Sequence, residues 1–128
     1  MLGLKDQTTN INPEMQWFHD YFNDVDTMQI DKMAARRAAY VIVQFGNEPI
    51  MHCKRAALFA IANLWQGFKS IRHAHGQVVS YRHYTSGEGT ATFTLQDDRT
   101  LTIPGMTILE RSDCLVTRLS GHLDFVPL

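Results

Sequence analysis

The stretch Cys114-Leu115-Val116-Thr117-Arg118-Leu119-Ser120-Gly121-His122-Leu123-Asp124-Phe125 alternates as a strand does. Successive strand side chains point to opposite faces. Leu115, Thr117, Leu119, Leu123 and Phe125 therefore share one face, and Arg118, Ser120, His122 and Asp124 share the other. The apolar set marks the side that covers a core. The polar set is either a solvated outer face or a working one, since His122 and Asp124 stand two positions apart and could act on one bound molecule. The rest of the chain has to decide between these.

The strands before it supply partners. Ile71 to Tyr81 and Gly89 to Leu95 are strand-like, with a turn between Arg82 and Glu88. Ala91, Phe93 and Leu95 alternate with Thr90, Thr92 and Thr94, and Leu101 and Ile103 continue the apolar face. A three-residue loop at Asp97-Asp98-Arg99 sets Leu95 opposite Leu101 and Phe93 opposite Ile103, keeping apolar residues on one side. Pro104-Gly105 interrupts the next strand as a bulge or bend. Ser112-Asp113 closes a second hairpin, which places Met106 and Ile108 on the Leu115 and Leu119 face.

The first half is helical. Asn12-Pro13-Glu14 is a start signal, a capping Asn followed by Pro at the first helical position. Phe18, Tyr21, Phe22 and Val25 follow at helical spacing. Asp26 with Gln29 three residues on resembles a capping box opening a second helix with Ile30, Met33, Ala34 and Ala38. Tyr40 to Phe45 is a short strand closed by Gly46-Asn47-Glu48-Pro49. A third helix runs from Lys54 to Phe68 with Leu58, Ile61, Trp65 and Phe68 inside. Three helices followed by a meander of long antiparallel strands predict an α+β fold, helices packed on a curved sheet.

Composition bounds the function. At 128 residues and 45% hydrophobic the chain suits one domain with a real core, residues 1–12 reading as an N-terminal arm. Twelve basic and thirteen acidic residues give a net charge of −1, so neither nucleic acid nor an anionic membrane is an expected partner. No signal-peptide pattern and no membrane-length apolar run is present. Cys53 and Cys114 form no ligand cluster, and a reducing, cytoplasmic setting suits them. Phosphate-loop, nucleophile-elbow and Cys-His motifs are absent, so no cofactor is called for.

Several stretches resemble the SnoaL-like (polyketide cyclase-like) branch of the nuclear transport factor 2-like superfamily, a cone-shaped α+β fold. They are Phe45-Gly46-Asn47-Glu48-Pro49 before the third helix, Ala56 and Trp65 within it, His73 opening the next strand, and Ile103-Pro104-Gly105. The ending Leu123-Asp124-Phe125-Val126-Pro127-Leu128 is similar to the family's closing Tyr-x-Asp-x-x-Pro-Leu. The likeness covers roughly residues 13 to 128. Cys53 departs from the usual Gly, Asp97-Asp98 from the usual Asp-Gly, and His122 from the more frequent Tyr. Tyr40 to Phe45 carries no carboxylate, where ketosteroid isomerase relatives place a base. Of the Arg and two Asp residues in limonene epoxide hydrolases, only Asp124 has an evident counterpart. Fold likeness here does not fix chemistry.

The resemblance implies that Asp124 faces the pocket as acid and base, with His122 or His73 as its partner. Desolvation would raise the carboxyl's pKa toward working pH. The alternative is a carboxylate that caps the sheet or pairs with Arg118. His73 and His75 share a face, as metal ligands do, but no carboxylate follows within Gly76 to Tyr81, so no metal is expected. His19, His52 and His83 read as structural. Trp17, Tyr21, Tyr40 and Trp65 are the expected ligand-binding aromatics, against the alternative of plain core. Two function classes follow. One is a small cofactor-independent enzyme moving a proton on an apolar, polyketide-like or polycyclic carbonyl substrate, by cyclisation, isomerisation or dehydration. The other is a non-catalytic ligand-binding or dimerisation module. A homodimer is expected, through the row Leu115, Leu119, Leu123 and Phe125.

Overall fold

The computed structural model describes residues 13–123. The capping Asn12 and the family-like ending at Asp124 and Phe125 fall outside that range. Helix α1 (Pro13–Asp26) carries Phe18, Tyr21 and Phe22 on its buried stripe. A turn through Met28, in the left-handed region at φ 55°, leads to the short helix α2 (Ile30–Ala35). Strand β1 (Arg37–Phe45), helix α3 (Lys54–Trp65) and four long strands follow: β2 (Phe68–Tyr81), β3 (Tyr84–Leu95), β4 (Thr100–Ser112) and β5 (Leu115–Leu123). The sheet order is β1-β5-β4-β3-β2, with β1 parallel to β5 and the other pairs antiparallel. Helices and a curved five-stranded sheet give the α+β class expected.

Two apolar clusters fill the space between helices and sheet. One joins Phe18, Tyr21 and Phe22 to Val41, Val43, Leu109, Val116 and Leu119. The other gathers Met33, Ile61 and Trp65 on Ile71, Ala91, Phe93 and Ile103. Helix α3 starts at Cys53, whose Sγ accepts from Ala56 N at 3.4 Å, and stops at Trp65 rather than Phe68, which opens β2. Ala38 likewise belongs to β1, where it is buried.

Register departs from the sequence reading at several places. Leu95 N donates to Arg99 O, and the hairpin loop is Gln96-Asp97-Asp98 with Asp98 left-handed, a three-residue loop one position earlier than expected. Phe93 therefore faces Leu101 and Ala91 faces Ile103, a slip of two that preserves the apolar face. No register shift interrupts β4 at Pro104-Gly105. Shifts occur instead between His75 and Gln77 in β2, and opposite Glu110 and Arg111 in β5. The second shift makes Thr117 an extra residue, so Val116 is buried and Leu115 is exposed. Met106 and Ile108 pair with His122 and Ser120 on the outer face, opposite to Leu119. None of the helices formed by the described residues is long and apolar enough to cross a membrane.

Candidate active site

A cavity of about 340 Å³ opens between the helices and the concave side of the sheet. Its walls are mostly apolar: Phe22, Val25 and Met33 from the first two helices, Ile61 and Trp65 from α3, and Ile71, Phe93, Leu119 and Leu123 from the sheet. The polar side chains on the wall are Tyr21, Arg37, Glu48, His73, His75, Thr90 and Thr107.

His73 is held from two directions by Asp26. Its backbone N donates to Asp26 Oδ2 at 2.8 Å, and its Nδ1 lies 2.6 Å from Asp26 Oδ1. Both side chains are largely buried, at 16% and 21% exposure. With a carboxylate as acceptor, Nδ1 carries the hydrogen and Nε2 keeps a lone pair. Such an arrangement orients an imidazole as a base and stabilises it once protonated. Asp26 is the last residue of α1, where a carboxylate meets the negative end of the helix dipole. Its two bonds to His73 offset that cost.

Tyr21 is fully buried five residues earlier on the same helix. Burial pushes its phenol pKa up, against the opposing charge of Arg37, so the hydroxyl stays protonated. Arg37 Nη2 donates to the Tyr21 oxygen at 2.5 Å, which leaves the phenol hydrogen for another acceptor. His75 stacks beside His73 with ring centroids 5.9 Å apart and packs on Phe18 and Phe22. Burial first, then the neighbouring His73 and His19, lower its pKa to about 4. It is neutral at pH 7.

That depression carries a stability prediction. The folded state refuses a proton that the unfolded chain accepts near pH 6.5. The stabilisation is therefore complete above pH 6.5 and declines as pH falls from there toward 4. For a group still partly exposed, about 1–2 kcal/mol is at stake after solvent screening. Wild type should lose this much more stability than His75→Gln between pH 7 and pH 4.5 in chemical denaturation. Parallel pH curves would refute it.

The expected site residues separate. Tyr21, Trp65 and His73 line the cavity. Trp17 does not: it stacks on Tyr21 at 5.7 Å with Arg36 and Arg111 over its ring, outside the cavity wall. Tyr40 is 68% exposed on β1 and is not a lining residue. His122 is exposed because strand alternation turns it outward while Gly121 and Leu123 line the cavity. Asp124 lies outside the described residues. Asp26 and Arg37 are the polar groups that the sequence reading missed. The expected capping box at Asp26 does not form: α2 is capped at Gln29 without a side-chain bond, and Asp26 serves His73 instead. Among the described residues, no three His, Cys, Asp or Glu side chains converge to hold a metal.

Solved structures place this architecture. A protein from Shewanella putrefaciens designated a SnoaL-like polyketide cyclase matches 91% of this chain and 93% of its own, with TM-score 0.81 at 13% identity. A nuclear transport factor 2-like protein of unknown function from Burkholderia pseudomallei matches 89% and 92%, with TM-score 0.77 at 13% identity. A limonene-epoxide-hydrolase-like enzyme from M. tuberculosis matches 85% and 80%, with TM-score 0.74 at 11% identity. The fold is that of SnoaL-like proteins of the nuclear transport factor 2-like superfamily. No family model and no curated protein matches the chain by sequence.

Proposed function

We propose that this chain is a cofactor-independent acid–base enzyme acting on an apolar carbonyl compound in the cavity. The observation that carries the proposal is His73, bonded to Asp26 behind it and lining a largely apolar cavity that Tyr21 also borders. His73 Nε2 removes a proton from carbon next to the substrate carbonyl. The electron pair moves onto the carbonyl oxygen, and the Tyr21 hydroxyl hydrogen-bonds the oxyanion as it forms. The resulting enolate can expel a β-hydroxyl, accept the proton at another carbon, or attack a second carbonyl. Dehydration, isomerisation and aldol cyclisation all share the first step.

Solvent exchange tests that step without knowing the natural substrate. Cyclic and polycyclic ketones are incubated with the protein in D₂O, and loss of the α-proton signal is followed by NMR. Wild type should exchange at least one ketone well above the buffer rate, and His73→Gln should not. Buffer-level exchange throughout would leave a ligand-binding module. Asp124 enters the same assay: an Asp124→Asn variant at wild-type rate assigns the step to Asp26 and His73, and one as slow as His73→Gln brings Asp124 into it.

A homodimer remains part of the proposal, but its surface moves. Leu119 and Leu123 belong to the cavity wall, so they cannot form the expected row. Val79, Tyr81, Tyr84, Met106 and Ile108 are among the exposed apolar residues of the outer sheet face. A patch of this kind favours a covering partner, and a second copy is the one proposed. A clean monomer by light scattering at about 50 μM, far above a micromolar Kd, would exclude it; Ile108→Lys should break the dimer.

A further inference from the structure

Arg37 is a buried cation with no counter-ion among the described residues. It is 3% exposed at the start of β1, it borders the cavity, and no carboxylate among the described residues pairs with it. Its bonds go to neutral oxygens, Nη1 to Met33 O at 3.3 Å and Nη2 to Tyr21 OH at 2.5 Å. Its Nε–H has no acceptor among the described residues. The neighbouring acids are committed elsewhere: Asp24 to Arg36 and Asp26 to His73. Glu48, the one carboxylate among the described lining residues, is exposed.

A buried charge left unpaired is costly, and an unused Nε–H on a guanidinium adds an unsatisfied donor to that cost. A neutral carbonyl oxygen would answer the donor and leave the charge. A carboxylate answers both, because its two oxygens match the guanidinium edge in a bidentate pair.

We propose that Arg37 forms an anion subsite, so that the molecule bound in this cavity is an apolar carboxylic acid held as its carboxylate. The proposal rests on the cavity being the substrate site, and it narrows the substrate to carbonyl compounds that also bear an acidic group. Arg37 then fixes which end of an apolar skeleton enters first.

The test is calorimetric titration of the full chain with 2-naphthoate and with 2-naphthamide, which share shape and differ in charge. Wild type should bind the carboxylate at least ~10-fold more tightly, the scale of one charge-assisted pair. Arg37→Met should erase the preference while holding the amide within about twofold, and should melt no lower than wild type. Arg37→Lys, which keeps the charge and loses the fork, should retain part of the preference and serves if the Met variant fails to fold. His73→Gln should keep the full preference while losing α-proton exchange, which separates this inference from the catalytic one. Equal binding of the two probes by wild type, a tighter amide, no binding of either, or a preference that survives Arg37→Met would each overturn it. Equal binding combined with loss of exchange in Arg37→Met would place the cation on the reaction's oxyanion instead of on a ground-state acid.

Discussion

Replacing His73 with glutamine should lower α-proton exchange about 10²- to 10⁴-fold, the usual worth of a positioned general base. Glutamine can still accept a hydrogen bond in the cavity, but it has no lone pair basic enough to take a proton from carbon. Asp26→Asn should fall less. Its amide oxygen can still accept from Nδ1–H, so the tautomer survives while the charge that stabilises the protonated ring is gone. The ordering matters more than either value. A buried His–Asp hydrogen bond kept only for stability would instead give wild-type rates in both variants and a lower melting temperature in each. Rates and melts measured on the same preparations decide between the two, and a His73→Gln protein exchanging at wild-type rate would end the catalytic assignment.

Gly89→Ala should be the most damaging single methyl in the sheet. Gly89 sits in β3 between His75 of β2 and Gly105 of β4. A Cβ there would overlap the backbone oxygen of Ala74 and crowd the His75 Cα at 2.8 Å. Both obstacles are main chain, so no rotamer change relieves them. The strands must move apart beside the β2 register shift, and His73 and His75 move with them. A loss of about 3 kcal/mol is expected, at the upper end of overpacking costs, or ~10 °C in Tm for a domain of this size. Gly46→Ala, at a position with φ 54° but open space around the added methyl, should cost about 1 kcal/mol. Equal melting of the two variants would show that the strand crossing tolerates what the geometry forbids.

Helix–strand order, the three hairpins and the apolar face of β3 were legible, because each rests on a periodicity that the residues carry themselves. Register was less so. The loop at Gln96-Asp97-Asp98 and its neighbour Asp97-Asp98-Arg99 keep the same side chains on the same face, and only the left-handed Asp98 separates them. The extra residue Thr117 leaves no mark in composition, yet it reverses Leu115 and Val116.

The site was half visible. His73, Tyr21 and Trp65 were found through resemblance and aromatic character. Asp26 was misassigned because Asp-x-x-Gln before an apolar run is a sound capping signal, and only the tertiary pairing with His73, 47 positions on, outcompetes it. A signal was present nonetheless: Asp24 and Asp26 crowd the negative end of a helix with no basic residue in its last turn. Arg37 also broke a local rule, as a charge at the head of a strand whose other inward residues are Ala38, Val41 and Val43. Violations of this kind are where function concentrates. Tyr40 and Trp17 show the converse, since an aromatic residue on a cavity-lining element need not face the cavity.

The parallel pairing of β1 with β5 has a kinetic consequence. Val43 and Leu119 are direct partners, yet most of the chain lies between them. β2 to β5 are joined by tight turns and can zip together locally, whereas the β1 edge must wait for the last strand to arrive. Non-local closure of this sort raises contact order and slows folding. During synthesis the Val41–Val43 strand would leave the ribosome long before its β5 partner, with only the local Val43–Met51 bridge to satisfy its backbone. That interval is when a newly made chain is most exposed to association with its own copies.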